Sequence, residues 1–480
     1  MSFKSDIQIA VNALERFNKA VVEGEIKVIN QEKPVDIIQS LKLDHFTAKG
    51  GLTGNALKEF LEQYFNYVTS LHHPKYLGHQ CAPPYYSSAL GTLINGFLNN
   101  VSSIYEMGPA SASLEHYIIN WMLEKVGWPI APLEADLETY KSPHGAGILV
   151  NGGSIANLTA LIIARTQIAP GVWKNGNPGN LGLLLPAQSH YSLAKAAGIL
   201  GLGANSVHLL DVDSDGRLIP DKIVGRFKRI IDKGLLPMAL VANACSTSVG
   251  IYDPLDEIAE FCTTNNLWFH VDGAHGASAL ISETHKGLLK GVEKADSLTW
   301  DAHKLLQTSS LCAALLVKNH VHLNDGFQIH HDASYIFHKK DQLGFDTIHN
   351  TIETTKSGLG EKLFFVMGAL GESGMAQYVD KQYKITKEAY KYVSNCSEFE
   401  CPVLPESNIL CFRIAGQDEL QIAIRNELIS EGRFYITTVK FKERQYLRLV
   451  FMNQNTSLKT IKELISEIRR IGKFLRSAKS

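Results

Sequence analysis

No Cys-x-x-Cys spacing occurs among the seven cysteines of this 480-residue chain, at 81, 245, 262, 312, 396, 401 and 411, so neither a disulfide framework nor a zinc ribbon is readable. A reducing compartment, the cytoplasm, is the expectation. Excess charge of either sign is missing too: 47 Lys and Arg stand against 48 Asp and Glu, a formal net charge of −1. Proteins that work on nucleic-acid backbones or anionic membranes carry a basic excess, so those partners are not expected. The N-terminus has no basic start followed by an apolar block and a cleavage site; Ile9, Leu14, Phe17 and Val21 recur at helical spacing instead. Residues 76–105 hold no Asp, Glu, Lys or Arg, yet Pro83, Pro84, Gly91 and Gly96 interrupt them, which suits buried interior or a subunit contact rather than a membrane span. Internal repeats and low-complexity segments are absent.

What remains is an ordinary globular composition, 45% hydrophobic and 20% charged, with a length that suggests two or three structural units. The first eighty or so residues read as amphipathic helices. Short apolar runs at 147–150, 181–185, 206–210, 238–243, 267–271, 297–300 and 313–317 read as buried strands, and helical patterns such as 155–165 and 255–265 separate them. Strands alternating with helices give an α/β fold, a mostly parallel sheet with helices on both faces, whose ligands bind outside the carboxyl ends of the strands. Strands at 408–413 and 446–451 and a basic helix at 458–475 suggest a smaller C-terminal α/β domain. The expected division is a helical segment 1–85, a large domain 86–365 and a small domain 366–480. The stretch 338–362 reads as a loop.

Three strand ends carry chemistry. In Gly147-Ile-Leu-Val-Asn-Gly-Gly-Ser154 a strand, a glycine turn and a helix start point the amides of Gly153 and Ser154 at whatever precedes the helix. A phosphate suits that place; the plain alternative is a tight connection with a Ser cap. In Trp268-Phe-His-Val-Asp272 a carboxylate ends a buried strand and needs a cationic partner. A metal site of His270, Asp272 and His275 is the weaker reading, because one strand would have to turn all three side chains inward. In Thr299-Trp-Asp-Ala-His-Lys304 a lysine arrives at the same sheet edge, where apolar neighbours would depress its pKa and favour covalent bonding to an aldehyde; the plain alternative is a solvated loop lysine. Together the three match the phosphate, ring nitrogen and aldehyde of pyridoxal 5'-phosphate. Asp211-Val-Asp-Ser-Asp-Gly216 imitates a calcium loop, but its twelfth position is Lys222 rather than a bidentate Glu, so it reads as a turn.

With His73-Pro-Lys-Tyr, Tyr105-Glu-Met-Gly-Pro, Asn151-Gly-Gly-Ser, Ser189-His-Tyr-Ser-Leu, Gly250-Ile-Tyr-Asp-Pro-Leu, His270-Val-Asp-Gly-Ala, Trp300-Asp-Ala-His-Lys, Ala333-Ser-Tyr-Ile-Phe and Tyr446-Leu-Arg-Leu-Val in that order, the chain resembles the group II pyridoxal-phosphate-dependent amino-acid decarboxylases along nearly its whole length. That family includes glutamate, cysteine sulfinate, diaminobutyrate and aromatic amino-acid decarboxylases. The resemblance implies fold type I, an aminotransferase-like homodimer with shared active sites, and α-decarboxylation of an L-amino acid to its amine and carbon dioxide, a lyase reaction of amino-acid and carboxylic acid metabolism. It makes Lys304 the lysine joined to the cofactor aldehyde, Asp272 the partner of the ring nitrogen and His190 the residue stacked on the ring. Gly153, Ser154 and His303 would hold the phosphate, and Thr247 would lie close by. The family often has Asn where this chain has Asp301, an awkward neighbour for a phosphate.

For substrate, the resemblance places His79, Gln80 and Cys81 in the side-chain pocket and Arg448 where glutamate decarboxylases grip a carboxylate; a surface Arg on a strand is the alternative. A small polar or acidic amino acid is the expectation. Where the family presents a loop tyrosine as proton donor, Leu343-Gly-Phe-Asp-Thr carries Phe345. Either His349 or another donor replaces it, or the product is an aldehyde formed by oxidative deamination. A non-catalytic ligand-binding homologue is a further alternative.

Overall fold

The computed structural model describes residues 2–131, 142–327, 346–416 and 418–477. The chain divides into two compact units, Pro84–Lys381 and Met1–Pro83 with Gln382–Ser480. No helix among the described residues is long and apolar enough to cross a membrane.

The larger unit is built on seven strands: β1 (Ala146–Val150), β2 (Leu181–Pro186), β3 (Val207–Leu210), β4 (Leu236–Asn243), β5 (Trp268–Asp272), β6 (Ser297–Asp301) and β7 (Ala313–Val317). Their order is β1-β7-β6-β5-β4-β2-β3. Every pair from β6 through β3 is parallel, and β7 runs antiparallel to both β6 and β1. All seven expected runs are strands, and β7 is the exception to the parallel pattern. Residues of β5, β6 and β7 are buried without interruption, as in a sheet covered on both faces, whereas in edge strand β3 only Leu210 is fully buried. The helix Gly153–Ile168 packs Ala156, Ala160, Leu161 and Ile163 into the core beside Leu183, Val241 and Leu315. Each such fully buried Leu, Ile or Val contributes roughly 1.5–3 kcal/mol. The segment Asp211–Gly216 is a turn in which Asp213 Oδ1 accepts from the amides of Asp215 and Arg217.

In the smaller unit, β8 (Phe399–Glu400), β9 (Ile409–Ile414), β10 (Thr437–Phe441) and β11 (Arg444–Val450) form an antiparallel sheet in the order β10-β11-β9-β8. The N-terminal segment belongs to this unit. Leu77 lies in one core with Phe412, Phe434, Leu447 and Ile465, and its amide donates to the Tyr435 carbonyl at 2.8 Å. Asn453 Nδ2 donates to the carbonyls of Leu71 and His73.

Candidate active site

Parallel pairing brings the functional strand ends to one edge. Asp272 ends β5 and Asp301 ends the adjacent β6, with Asp272 opposite Thr299 in register. Since β1 and β6 both oppose β7, the carboxyl end of β1 and the glycine turn after it lie at that edge as well. His190 follows β2 and Thr247 follows β4, both parallel to β5.

The turn after β1 depends on two glycines for different reasons. Gly152, with φ 103°, occupies backbone space that side chains disfavour. Gly153 opens the helix against Asp301, and a Cβ there would sit 2.7 Å from Asp301 Oδ1. The first amides of a helix have no intrahelical acceptors, so this cradle presents free donors and a positive dipole end. That is a place for an anion with no room for a side chain.

Asp301 is 2% exposed. Its Oδ2 meets Lys304 Nζ at 3.0 Å and lies 3.6 Å from His303 Nε2, while Oδ1 is buried with no hydrogen-bond partner among the described residues. His303 Nδ1 lies 2.8 Å from the Cys312 carbonyl and 3.3 Å from its amide nitrogen, which anchors the β6–β7 turn. The Lys304 side chain is 18% exposed. Burial pulls its ammonium toward neutrality, but the carboxylates of Asp301 and Asp272 outweigh that, and its pKa is raised. The depressed lysine expected from apolar neighbours is therefore corrected: two anions at adjacent strand ends decide the sign.

Asp272, 6% exposed, accepts the Ala274 amide on Oδ1 at 3.2 Å and Asn157 Nδ2 on Oδ2 at 3.0 Å. His190 caps the helix Tyr191–Ile199, its Nδ1 accepting from the Ser192 amide and lying 2.8 Å from Ser192 Oγ. Burial lowers the His190 pKa, with Lys304 adding to it and Asp272 and Asp301 opposing. Thus Asp272, Lys304, His190, Gly153, Ser154, Thr247 and His303 share one sheet edge. His270 is a wholly buried core histidine on β5 whose two nitrogens face Ser297 and Asn157. No cluster of metal-binding side chains occurs among the described residues.

In the smaller unit, Arg448 lies on β11 opposite Thr437 and Cys411, 7% exposed, with Nη1 3.5 Å from the Gly78 carbonyl. It is a buried strand residue rather than the surface Arg that was the alternative. His79 Nε2 is 3.0 Å from Tyr435 Oη, and Gln80 Nε2 is buried without a partner among the described residues. Phe345 lies outside the described residues; His349 stands in the short turn Thr347–Asn350.

Sequence reasoning missed Asn157, Ser192, Thr299 and Ser297. One signal was present: Asn157 is an amide between Ala156 and Leu158 in the second turn of its helix, and it is 1% exposed.

An amide cradle for an anion, a lysine and a carboxylate at the adjacent strand end suit a phosphorylated aldehyde with a basic ring, while Asp301, against the cradle, is the one neighbour that does not suit a phosphate. Comparison with known proteins agrees. The conserved domain of the pyridoxal-dependent decarboxylases matches residues 55–415. An acidic amino acid decarboxylase of Mus musculus is 30% identical over 80% of this chain and 68% of its own length. The cysteine sulfinic acid decarboxylase of Mus musculus is 27% identical over 95% of this chain and 94% of its own. The crystal structure of mouse CSAD superposes with a TM-score of 0.83 at 26% identity, covering 97% of this chain and 99% of that one. The chain belongs to the pyridoxal-dependent decarboxylase family, whose members remove the carboxyl group of amino acids with pyridoxal 5'-phosphate.

Proposed function

We propose that the chain decarboxylates a small polar or acidic L-amino acid, with Lys304 as the residue that holds the cofactor aldehyde and Asp272 as the residue that keeps the ring nitrogen protonated. The observation that carries this reading is the pair of carboxylates flanking Lys304 at the ends of β5 and β6. When bound, pyridoxal 5'-phosphate supplies an electron sink for the bond that carbon dioxide leaves behind. The amides of Gly153 and Ser154 would donate to its phosphate, with His303 and Thr247 at the same edge. His190 would lie against the ring face. Asp301, paired with the Lys304 ammonium at 3.0 Å, is placed to take the proton that this ammonium must lose before it can bond to the aldehyde.

Support for an acidic substrate comes from two sides. The relatives named above act on acidic amino acids and on cysteine sulfinic acid. Arg448 is a buried guanidinium, the residue type that grips a carboxylate or sulfinate with two parallel hydrogen bonds. We assign the chain to a homodimer, supported by the exposed apolar residues Tyr86, Leu90, Phe97 and Leu98 on one helix, and to the cytoplasm, supported by its separated cysteines.

A panel of aspartate, glutamate, cysteine sulfinate, diaminobutyrate and aromatic amino acids, with carbon dioxide, amine, aldehyde and peroxide all measured, tests this. Amine and carbon dioxide from an acidic member are expected; turnover confined to aromatic members would overturn the substrate class. Phe345 favours one second reading. In it, one amino acid, one oxygen and one water give aldehyde, carbon dioxide, ammonia and hydrogen peroxide. Peroxide and ammonia in equal amounts would establish that outcome, and amine without them would remove it.

A further inference from the structure

Behind Asp272 lies a branched chain of polar side chains whose direction is fixed at its two ends. The Trp268 indole can only donate and the Asp272 carboxylate can only accept. Between them, Trp268 Nε1 donates to Ser297 Oγ at 3.0 Å. Ser297 Oγ lies 2.8 Å from His270 Nδ1, and His270 Nε2 lies 3.1 Å from Asn157 Oδ1. Asn157 Nδ2 then donates to Asp272 Oδ2 at 3.0 Å. Turned over, the Asn157 amide would set its carbonyl oxygen against the carboxylate, lone pairs facing lone pairs. The amide therefore gives to Asp272 and receives from His270, which places the single imidazole hydrogen on Nε2 and leaves Nδ1 to accept from Ser297. Burial pushes the His270 pKa down to about 4, against the pull of Asp272, so the ring is neutral at neutral pH.

Asn157 branches the chain. Its Oδ1 also accepts from Thr299 Oγ1 at 2.7 Å, and its Nδ2 also donates to Ser192 Oγ at 3.2 Å. Ser192 Oγ in turn lies 2.8 Å from His190 Nδ1, which also accepts from the Ser192 amide. Both lone pairs and both hydrogens of the amide are in use, and its two outputs end on the two residues assigned to the cofactor ring.

We propose that Asn157 is a positioning residue: from the second turn of the helix Gly153–Ile168 it holds Asp272 and His190 in one joint orientation, and Trp268, Ser297 and His270 hold Asn157. This rests on the assignment of Asp272 to the ring nitrogen and of His190 to the ring face. A buried amide serving the fold alone would contribute stability and nothing else.

Two measurements separate these cases. On the cofactor-free chain, nitrogen NMR of labelled histidine, assigned with His270→Gln, is expected to show His270 as the neutral Nε2–H form from about pH 8 to about pH 5. An Nδ1–H form would overturn the direction of the chain. On Asn157→Ala and Asn157→Asp, titration with pyridoxal 5'-phosphate is expected to give dissociation constants raised on the order of tenfold or more. The visible band of the bound cofactor should also titrate at a different pH from the wild type. Unchanged affinity and an unchanged band, with only the melting temperature lowered, would overturn the proposal. Asp272→Asn is measured alongside. If it too leaves affinity and band unchanged, the assignment of Asp272 falls and the proposal with it; if it alone weakens binding, only the role of Asn157 falls. Should Asn157→Ala not fold, Ser192→Ala removes the His190 branch by itself and is expected to change the visible band, a wild-type band being the contrary result.

Discussion

At the end of β5, Asp272 has both oxygens on protein donors, the Ala274 amide and Asn157, whereas at the end of β6 Asp301 has one oxygen on Lys304 and the other on nothing among the described residues. Both are almost wholly buried, so burial does not distinguish them. Their partners do. A carboxylate fixed by backbone and an amide keeps its place whatever binds, while one fixed by a lysine is released when that lysine bonds elsewhere. The first suits a permanent charge opposite a ring nitrogen, and the second suits a temporary counter-ion for a nucleophile.

Substitutions can break this contrast. Asp272→Asn keeps the size and loses the charge; turnover at saturating cofactor is expected to fall about a thousandfold or more, with the far-ultraviolet dichroism unchanged. A fall of less than about tenfold would make the two carboxylates equivalent. His270→Gln tests the support beneath Asp272. Folded His270 stays neutral down to about pH 4 while the unfolded chain takes up a proton near 6.5, so this residue withdraws stability as pH falls through that window. The full loss amounts to about 3 kcal/mol. Urea unfolding of wild type and variant at neutral pH and near pH 4 should show the variant less acid-sensitive by that order, and equal slopes would refute it.

Gly153→Ala probes the Asp301 side. Its Cβ would press on Asp301 Oδ1, and a cost of about 1–3 kcal/mol is expected as a lower melting temperature, together with weaker cofactor binding. The smallest effect is assigned to Asp301→Asn. Capture of the cofactor needs a neutral Lys304, so the capture rate rises with pH through the raised lysine pKa. Removing the Asp301 anion moves that rise to lower pH, with turnover at saturating cofactor little changed. Stopped-flow reconstitution across pH would detect it, and an unmoved profile would assign the raised pKa to Asp272.

The strands of the larger unit were legible because strands buried on both faces read as uninterrupted apolar runs. Direction was not: Ala313–Val317 has the same composition whichever way it runs, and β7 is antiparallel. In the smaller unit β10, Thr-Thr-Val-Lys-Phe, is a partly exposed edge strand with no apolar run to betray it, and β8 spans two residues. The pairing of Leu77 with Tyr435 joins positions more than 350 apart, a distance that no local pattern spans. At the site, glycine turn, strand-end Asp272 and Lys304 were readable because their residue types are rare there. Asn157 and Thr299 were not, since their roles exist only once a helix and two strands meet. The sign of the Lys304 shift was misjudged for the same reason: Asp301, three residues away, was visible in sequence, but its 3.0 Å approach was not.

His270, buried under the helix Gly153–Ile168, has a further consequence. Its ring hydrogen faces Asn157 on that helix, so it trades with deuterium only when the helix lifts from the sheet or the unit unfolds. The same atom that aligns Asn157 is thus a clock for that opening, and its exchange half-life would report how often the helix leaves its seat.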